Sequence, residues 1–178
     1  MTNIKGSRTA DYEFTLPPEL IAQQPLADRS ASRLMVVHRA AGRIEHRHFT
    51  DLADLLDPSD LLVLNTSLVL KARLLGTRDG GGRSEVLLLK PLDGDRWEAM
   101  VAPGARLKPG KRVTIAPGFS VEILETTERR TRIVRLHVTS TVDAAIEQYG
   151  HVPLPPYIER PDTLADADRY QTVYARET

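Results

Sequence analysis

Between residues 69 and 138 this chain is a succession of short β-prone runs punctuated by turn chemistry, and that cadence limits its possible folds more than any other feature. The runs fall at 69–75, 85–89, 96–101, 111–115, 119–125 and 130–138. Between them, Gly80-Gly81-Gly82 makes a flexible hairpin tip and Pro103-Gly104 a turn. Lys108-Pro109-Gly110-Lys111 matches a type II turn, with proline fixing φ at the second position and glycine supplying positive φ at the third. Strands at such regular spacing predict a small antiparallel barrel or sandwich. In the last run Arg130, Arg132, Val134 and Leu136 alternate only imperfectly with Thr131, Ile133, Arg135 and His137, which leaves the facing of that strand open.

The flanks have a different texture. Pro17-Pro18-Glu19-Leu20-Ile21-Ala22 reads as a short helical turn opened by proline. The runs 34–37 and 44–49 flank Ala40-Ala41-Gly42 and predict a hairpin. Thr50 or Asp51 can cap a short helix carrying Leu52, Leu55 and Leu56, and 61–64 reads as a buried strand. After the β region, Ser140 with Asp143 resembles a capping box for a helix over 142–149, which Gly150 can end. Four prolines then fall between Pro153 and Pro161, so His151-Val-Pro-Leu-Pro-Pro-Tyr157-Ile158 is a stiff, extended strap. The fold class expected is an α/β mixed domain interrupted by an inserted antiparallel β-barrel-like domain. Its boundaries are 1–65 for the first part, 66–148 for the insertion and 149–178 for the return.

Composition narrows the function classes. At 41% hydrophobic and 27% charged residues, the 178-residue chain has the make-up of a soluble globular protein. Basic and acidic residues number 24 each, so no overall field draws it to a polyanion and any nucleic-acid contact must use local patches. Absence of cysteine excludes disulfides, thiolate metal sites and cysteine nucleophiles. No apolar run exceeds four residues and the start has no apolar signal core, which places the protein in the cytoplasm with no membrane partner.

Several residue groups carry chemistry. Arg29 and Arg33 bracket Ser30 and Ser32 in an irregular stretch, where guanidinium forks bind phosphate or carboxylate, or else pair with Asp28 or Glu19 to pin the loop. Asn65 ends the expected strand, a frequent position for binding groups in α/β proteins. His46 and His48 share a strand face, yet two ligands are too few for a metal, and none is expected. Gly80-Gly81-Gly82-Arg83-Ser84 lacks the lysine and following helix of a phosphate loop. Basic clusters at 29–47, 71–83, 106–112 and 129–135 form an RNA footprint if two or three converge, and otherwise are solvated strand faces.

Two segments bear a resemblance. Pro25-Leu-Ala-Asp-Arg29-Ser-Ala-Ser32-Arg33-Leu34, with the proline strap, Arg160 and Arg169-Tyr170-Gln171-Thr-Val-Tyr174, resembles the S-adenosylmethionine:tRNA ribosyltransferase-isomerase family of queuosine biosynthesis. Asn65, Val69, Ala72, Arg73 and Leu74 also agree with that family, whereas Leu68 replaces an arginine and Lys71 a proline. The family's downstream Gly-Leu-His-Phe segment is absent, so the resemblance implies a chain lacking the family's C-terminal half.

The resemblance implies a β-barrel inserted into a larger α/β domain. It also implies transfer of the ribosyl moiety of S-adenosylmethionine to 7-aminomethyl-7-deazaguanine in tRNA, with isomerisation to epoxyqueuosine-tRNA. S-adenosylmethionine is then the cosubstrate, that tRNA the partner, and the protein a monomer without a metal. Asn65, Tyr157, Tyr170 and Gln171 are the expected cosubstrate or base contacts, and Arg29, Arg33, Arg73, Arg160 and Arg169 the anion or tRNA anchors. Tyr157, Tyr170 and Tyr174 either border a sulfonium site or pack the strap. No residue stands out as the catalytic base. The alternative is a truncated, inactive RNA-binding remnant of the same family.

Overall fold

The computed structural model describes residue 6 and residues 8–175. It divides into two compact units, one of Met1–Leu61 with Pro156–Arg160 and one of Leu62–Pro155 with Pro161–Thr178.

The second unit holds a closed barrel, as the run of turns predicts. Its strands are β3 (Arg73–Arg78), β4 (Arg83–Pro91), β5 (Arg96–Ala102), β6 (Arg112–Ala116), β7 (Phe119–Thr126) and β8 (Arg132–Val138). They close in the order β3-β4-β5-β8-β7-β6, every neighbouring pair antiparallel. Because strand side chains alternate, each strand sends one set inward. Val121 and Ile123 from β7, Val134 and Leu136 from β8, Val86 from β4 and Leu74 from β3 are all buried, each contributing about 2 kcal/mol of transfer free energy. Such filled interiors are what a barrel this narrow requires.

Closure is tightest at β3 against β6, where only Thr77↔Thr114 and Arg78↔Val113 pair. Gly76 makes that approach possible, since a Cβ there would lie 2.4 Å from the Thr114 carbonyl oxygen. The predicted turn at Lys108 is formed, with Gly110 at φ +81° and the Lys111 amide donating to the Lys108 carbonyl at 3.1 Å. The last strand resolves its imperfect alternation in an unexpected way. Arg132 points inward with Val134 and Leu136 and is buried. Its guanidinium donates to the carbonyls of Leu107 (3.0 Å), Gly104 (3.1 Å), Arg130 (2.8 Å) and Thr131 (3.1 Å), tying the β5–β6 connection to the β7–β8 turn.

At the opposite end β8 runs into helix α1 (Val142–Tyr149), whose Ala145 and Ile146 are buried while the Tyr149 ring meets Phe119 at 6.1 Å. The cap is Thr141, accepting from the Ala144 amide at 3.3 Å, rather than the expected Ser140. Gly150 ends the helix, and a Cβ there would sit 2.1 Å from the Lys71 carbonyl oxygen, so the chain returns alongside β3 only because this residue has none. A short helix α2 (Leu164–Arg169) follows, its first turn closed by buried Asp166 accepting from the Thr163 amide and hydroxyl at 2.7 and 2.8 Å.

The first unit contains the predicted hairpin, β1 (Arg33–His38) against β2 (Arg43–His48), and short 3₁₀ segments. The helix expected around Leu52 is a 3₁₀ segment, Phe49–Leu55, with the Asp51 carboxylate accepting from the His48 amide at 3.0 Å. His46 and His48 share the exposed face of β2, and among the described residues no group of metal-binding side chains assembles. The predicted buried strand at 61–64 is irregular and exposed, Leu61 at 88% and Val63 at 83%. An apolar run becomes a strand only by pairing, and no described strand pairs with this one. No described helix is long and apolar enough to cross a membrane.

Arg132→Met keeps much of the side chain's length but takes the guanidinium from four carbonyls, of which that of Thr131 retains the Thr127 amide at 3.1 Å. We expect a loss of about 3 kcal/mol in denaturant unfolding, partly restored by Arg132→Lys. A loss below about 1 kcal/mol would show that the barrel end does not depend on this group.

Candidate functional site

The return of the chain beside β3 builds the most chemically dense region of the second unit. His151 and Arg73 form an antiparallel bridge, His151 N–H to Arg73 C=O at 2.8 Å and Arg73 N–H to His151 C=O at 3.2 Å. Their side chains each meet a carboxylate. The Arg73 guanidinium donates to Glu85 at 2.8 Å, and this bond, with a further contribution from Asp162, holds the guanidinium pKa above its ordinary value against the opposing effect of partial burial. His151 Nδ1 lies 2.9 and 3.1 Å from the two Asp162 oxygens, a carboxylate–imidazole pair that fixes the ring's orientation.

Two cavities adjoin this cluster. One, of about 490 Å³, is lined by His151 and Asp162 together with Tyr149 and Thr163. The other, of about 570 Å³, is walled by Trp97, Ile146, Val152 and Tyr170, with Asp143 and Asp168 as acidic groups. Lys71 and Glu147 line both and form an ion pair, the Lys71 ammonium also reaching the Glu147 carbonyl at 3.2 Å. Either volume falls in the range of small-molecule sites.

One wall of the larger cavity is held by an amide clasp. The Val69 amide donates to Gln171 Oε1 at 2.7 Å, and Gln171 Nε2 donates back to the Val69 carbonyl at 3.2 Å. The clasp satisfies the Val69 backbone although 68–71 belong to no strand, and the run expected to begin at 69 enters the ladder only at Arg73.

The expected site residues divide between the two units. Tyr170 and Gln171 line the larger cavity, and Arg73 belongs to the cluster beside the smaller one. Arg169 ends α2. Asn65 is exposed and accepts from the Ser67 amide at 3.0 Å, shaping a local turn outside both cavity walls. In the first unit, Tyr157 and Arg160 are gathered by Gln23. Its Nε2 donates to the Tyr157 carbonyl at 2.9 Å, its Oε1 accepts from the Glu159 amide at 2.7 Å, and its carbonyl accepts from Arg160 Nε at 2.8 Å. Arg29 lies in a 3₁₀ turn that Asp28 caps through the Ser30 amide, and Arg33 opens β1 on its exposed face.

Sequence reasoning missed Asp162, Gln23 and the shared position of Lys71. Asp162 follows Pro161 in an acidic stretch that reads as solvated charge. Nothing in sequence links Gln23 to residues more than a hundred positions away, and Lys71 reads only as a departure from a motif.

Comparison with known proteins finds relatives of the chain. The profile of the queuosine biosynthesis protein family matches residues 9–178. The S-adenosylmethionine:tRNA ribosyltransferase-isomerase of Symbiobacterium thermophilum is 49% identical over 172 residues, which cover 96% of this chain and 50% of that protein. The protein of the same name from Heliobacterium modesticaldum is 48% identical over 168 residues, covering 93% and 49%. A crystal structure of S-adenosylmethionine tRNA ribosyltransferase from Thermotoga maritima aligns over 94% of this chain and 56% of its own, at 35% identity and a TM-score of 0.41. The chain spans about half the length of the curated relatives it matches.

Gln171→Leu removes both bonds of the clasp while keeping comparable bulk. Amide exchange at Val69 should accelerate at least tenfold, with a stability loss of about 1–2 kcal/mol, and unchanged protection there would refute the clasp.

Proposed function

The chain belongs to the queuosine biosynthesis protein family, and from that premise we propose that it serves the transfer of a ribosyl unit from S-adenosylmethionine to tRNA. In the finer reading, the acceptor is the aminomethyl group of 7-aminomethyl-7-deazaguanine, the transferred unit is isomerised to give epoxyqueuosine-tRNA, and adenine and methionine leave. The observation carrying this reading is the family match across 9–178, and the two adjoining cavities are the proposed location.

The larger cavity suits the cosubstrate. A sulfonium cation is attracted by aromatic faces and carboxylates, and Trp97, Tyr170, Asp143 and Asp168 supply both on one wall system. Tyr170 is the proposed direct contact there. Gln171, committed to Val69, acts by holding the wall. The reaction also needs a base to remove a proton acidified by the neighbouring sulfonium. His151, oriented by Asp162 in the lining of the adjoining smaller cavity, is the proposed base. Arg29, Arg33, Arg160 and Arg169 are proposed anion or tRNA anchors, with Arg73 positioning the cluster through Glu85. Asn65 and Tyr157 are proposed base contacts. The reading takes the boundaries 1–65, 66–148 and 149–178, a cytoplasmic monomer, and no metal.

A second reading is favoured by one residue. Leu68, where the family resemblance has arginine, lines the larger cavity and offers it no charge. An RNA-binding remnant without turnover would tolerate this exchange.

Incubating the chain with tRNA bearing the aminomethyl precursor and S-adenosylmethionine labelled in its ribose distinguishes the two. Label entering tRNA, falling at least a hundredfold in His151→Ala and roughly tenfold in Asp162→Asn, supports the enzyme. Retained tRNA binding without incorporation supports the remnant, and neither binding nor incorporation defeats both.

A further inference from the structure

The two ends of the barrel differ in charge. Antiparallel closure puts the β3–β4 turn, the β5–β6 connection and the β7–β8 turn at one end, as the pairs Thr77↔Arg83, Arg78↔Val113, Glu85↔Ala102 and Thr126↔Arg132 require. The segments at this end, 78–83, 103–112 and 127–131, carry eight Lys or Arg residues against two carboxylates, Asp79 and Glu128. At the other end Asp93 and Asp95 pair with Arg96 and Arg135, so that rim is neutralised.

The basic rim is a built surface. Asp79 is spent on the backbone, its carboxylate accepting from the Arg112 amide at 3.0 Å while its own amide donates to the Arg112 carbonyl at 3.1 Å. The hairpin tip is thereby stitched to β6. Buried Arg132 fixes the other two segments to each other from below and adds a further positive charge whose hydrogen bonds go to carbonyls. Arg83, Arg106, Lys108, Lys111, Arg129 and Arg130 project from this frame, exposed, and none makes an ion pair with a described residue. A cleft of about 280 Å³ is lined by Arg78, Arg106 and Lys111 with Gly80, Gly81 and the backbone-bonded Asp79, and the glycines let a phosphate approach the backbone closely.

Arg130 adds an independent sign. Its φ is +64°, and it is the one non-glycine described residue in the left-handed region. Glycine or asparagine suits such a turn better, so an arginine there points to a use for its charge.

We propose that this rim docks the phosphate backbone of an RNA stem. The inference rests on the proposed function for RNA as the partner and adds the surface that holds it. None of the three segments exposes an aromatic or a large aliphatic side chain. Bases therefore have nothing to stack on, which disfavours single strands, and a bilayer has no apolar anchor to accept. Cations spread over three turns, each hydrogen-bonded into the barrel end, match the paired phosphate rows of a stem, read by shape and charge.

The test is anisotropy of a fluorescent, unmodified tRNA transcript titrated with the full chain across a salt series. Arg106→Ala/Lys111→Ala/Arg130→Gly removes three cations and relaxes the strained turn. It should weaken binding at least tenfold and lower the slope of log affinity against log salt by about two to three. Arg83→Ala/Arg129→Ala probes the same rim independently and should act in the same direction. Lys90→Ala, on the same barrel but towards its other end, should change nothing. Unaltered affinity and slope in both rim variants, a wild-type chain that binds no tRNA, or equal competition by phosphatidylglycerol vesicles would overturn the proposal. Rim-dependent binding without ribosyl transfer would leave this surface standing and remove the enzymatic reading. Ribosyl transfer with rim-independent binding would do the reverse.

Discussion

One guanidinium organises the barrel. A buried cation is costly unless its donors find acceptors, and Arg132 places four of its five N–H groups on backbone oxygens. Carbonyls have fixed positions, so the solution dictates the path of the chain at 104, 107, 130 and 131 simultaneously. The β5–β6 connection is long enough to wander over the barrel mouth, and the β7–β8 turn has little apolar surface to fasten it. Each makes hydrogen bonds of its own, the Leu107 amide to the Pro103 carbonyl at 3.3 Å and the Arg130 amide to the Thr127 carbonyl at 2.9 Å, and this one side chain joins them to each other. Leu107, fully buried from within the connection, completes the seal.

The same economy of polar groups recurs around the return of the chain. Val69 lies outside the strand ladder, and its amide and carbonyl find partners in a single glutamine side chain. Glu85 meets Arg73 and Asp162 meets His151 side by side, so each side chain of the Arg73–His151 bridge has a carboxylate partner. Where a segment cannot join a sheet, a side chain has taken over the sheet's function of satisfying the backbone. Cavities survive beside it because the walls are held by directed bonds and do not collapse onto one another.

The barrel was legible because its signals are local. Proline and glycine at Pro109 and Gly110, and the alternation of Phe119, Val121 and Ile123, each determine their own neighbourhood. Arg132 reads as an irregularity in an alternating run, because its use depends in part on the carbonyls of Gly104 and Leu107, far earlier in the chain, that no periodicity reports. The run 61–64 shows the reverse failure. Its apolar residues satisfy the strand pattern, yet pattern cannot supply a neighbouring strand. At the site, the resemblance carried attention to Tyr170 and Gln171, which do line a cavity, whereas the partnership of His151 with Asp162 lay eleven positions apart across a proline-rich turn and had no sequence signature.

A hoop is only as continuous as its joint, and here the joint is the two-residue pairing of β3 with β6. Every other junction in the ring has at least four paired positions to share a load. Gly76 is therefore a latch pin: the first side chain admitted there would wedge β3 from the Thr114 carbonyl and turn a ring into an open ribbon with two bare edges. Drift at that codon is barred by geometry alone, whatever chemistry the chain performs.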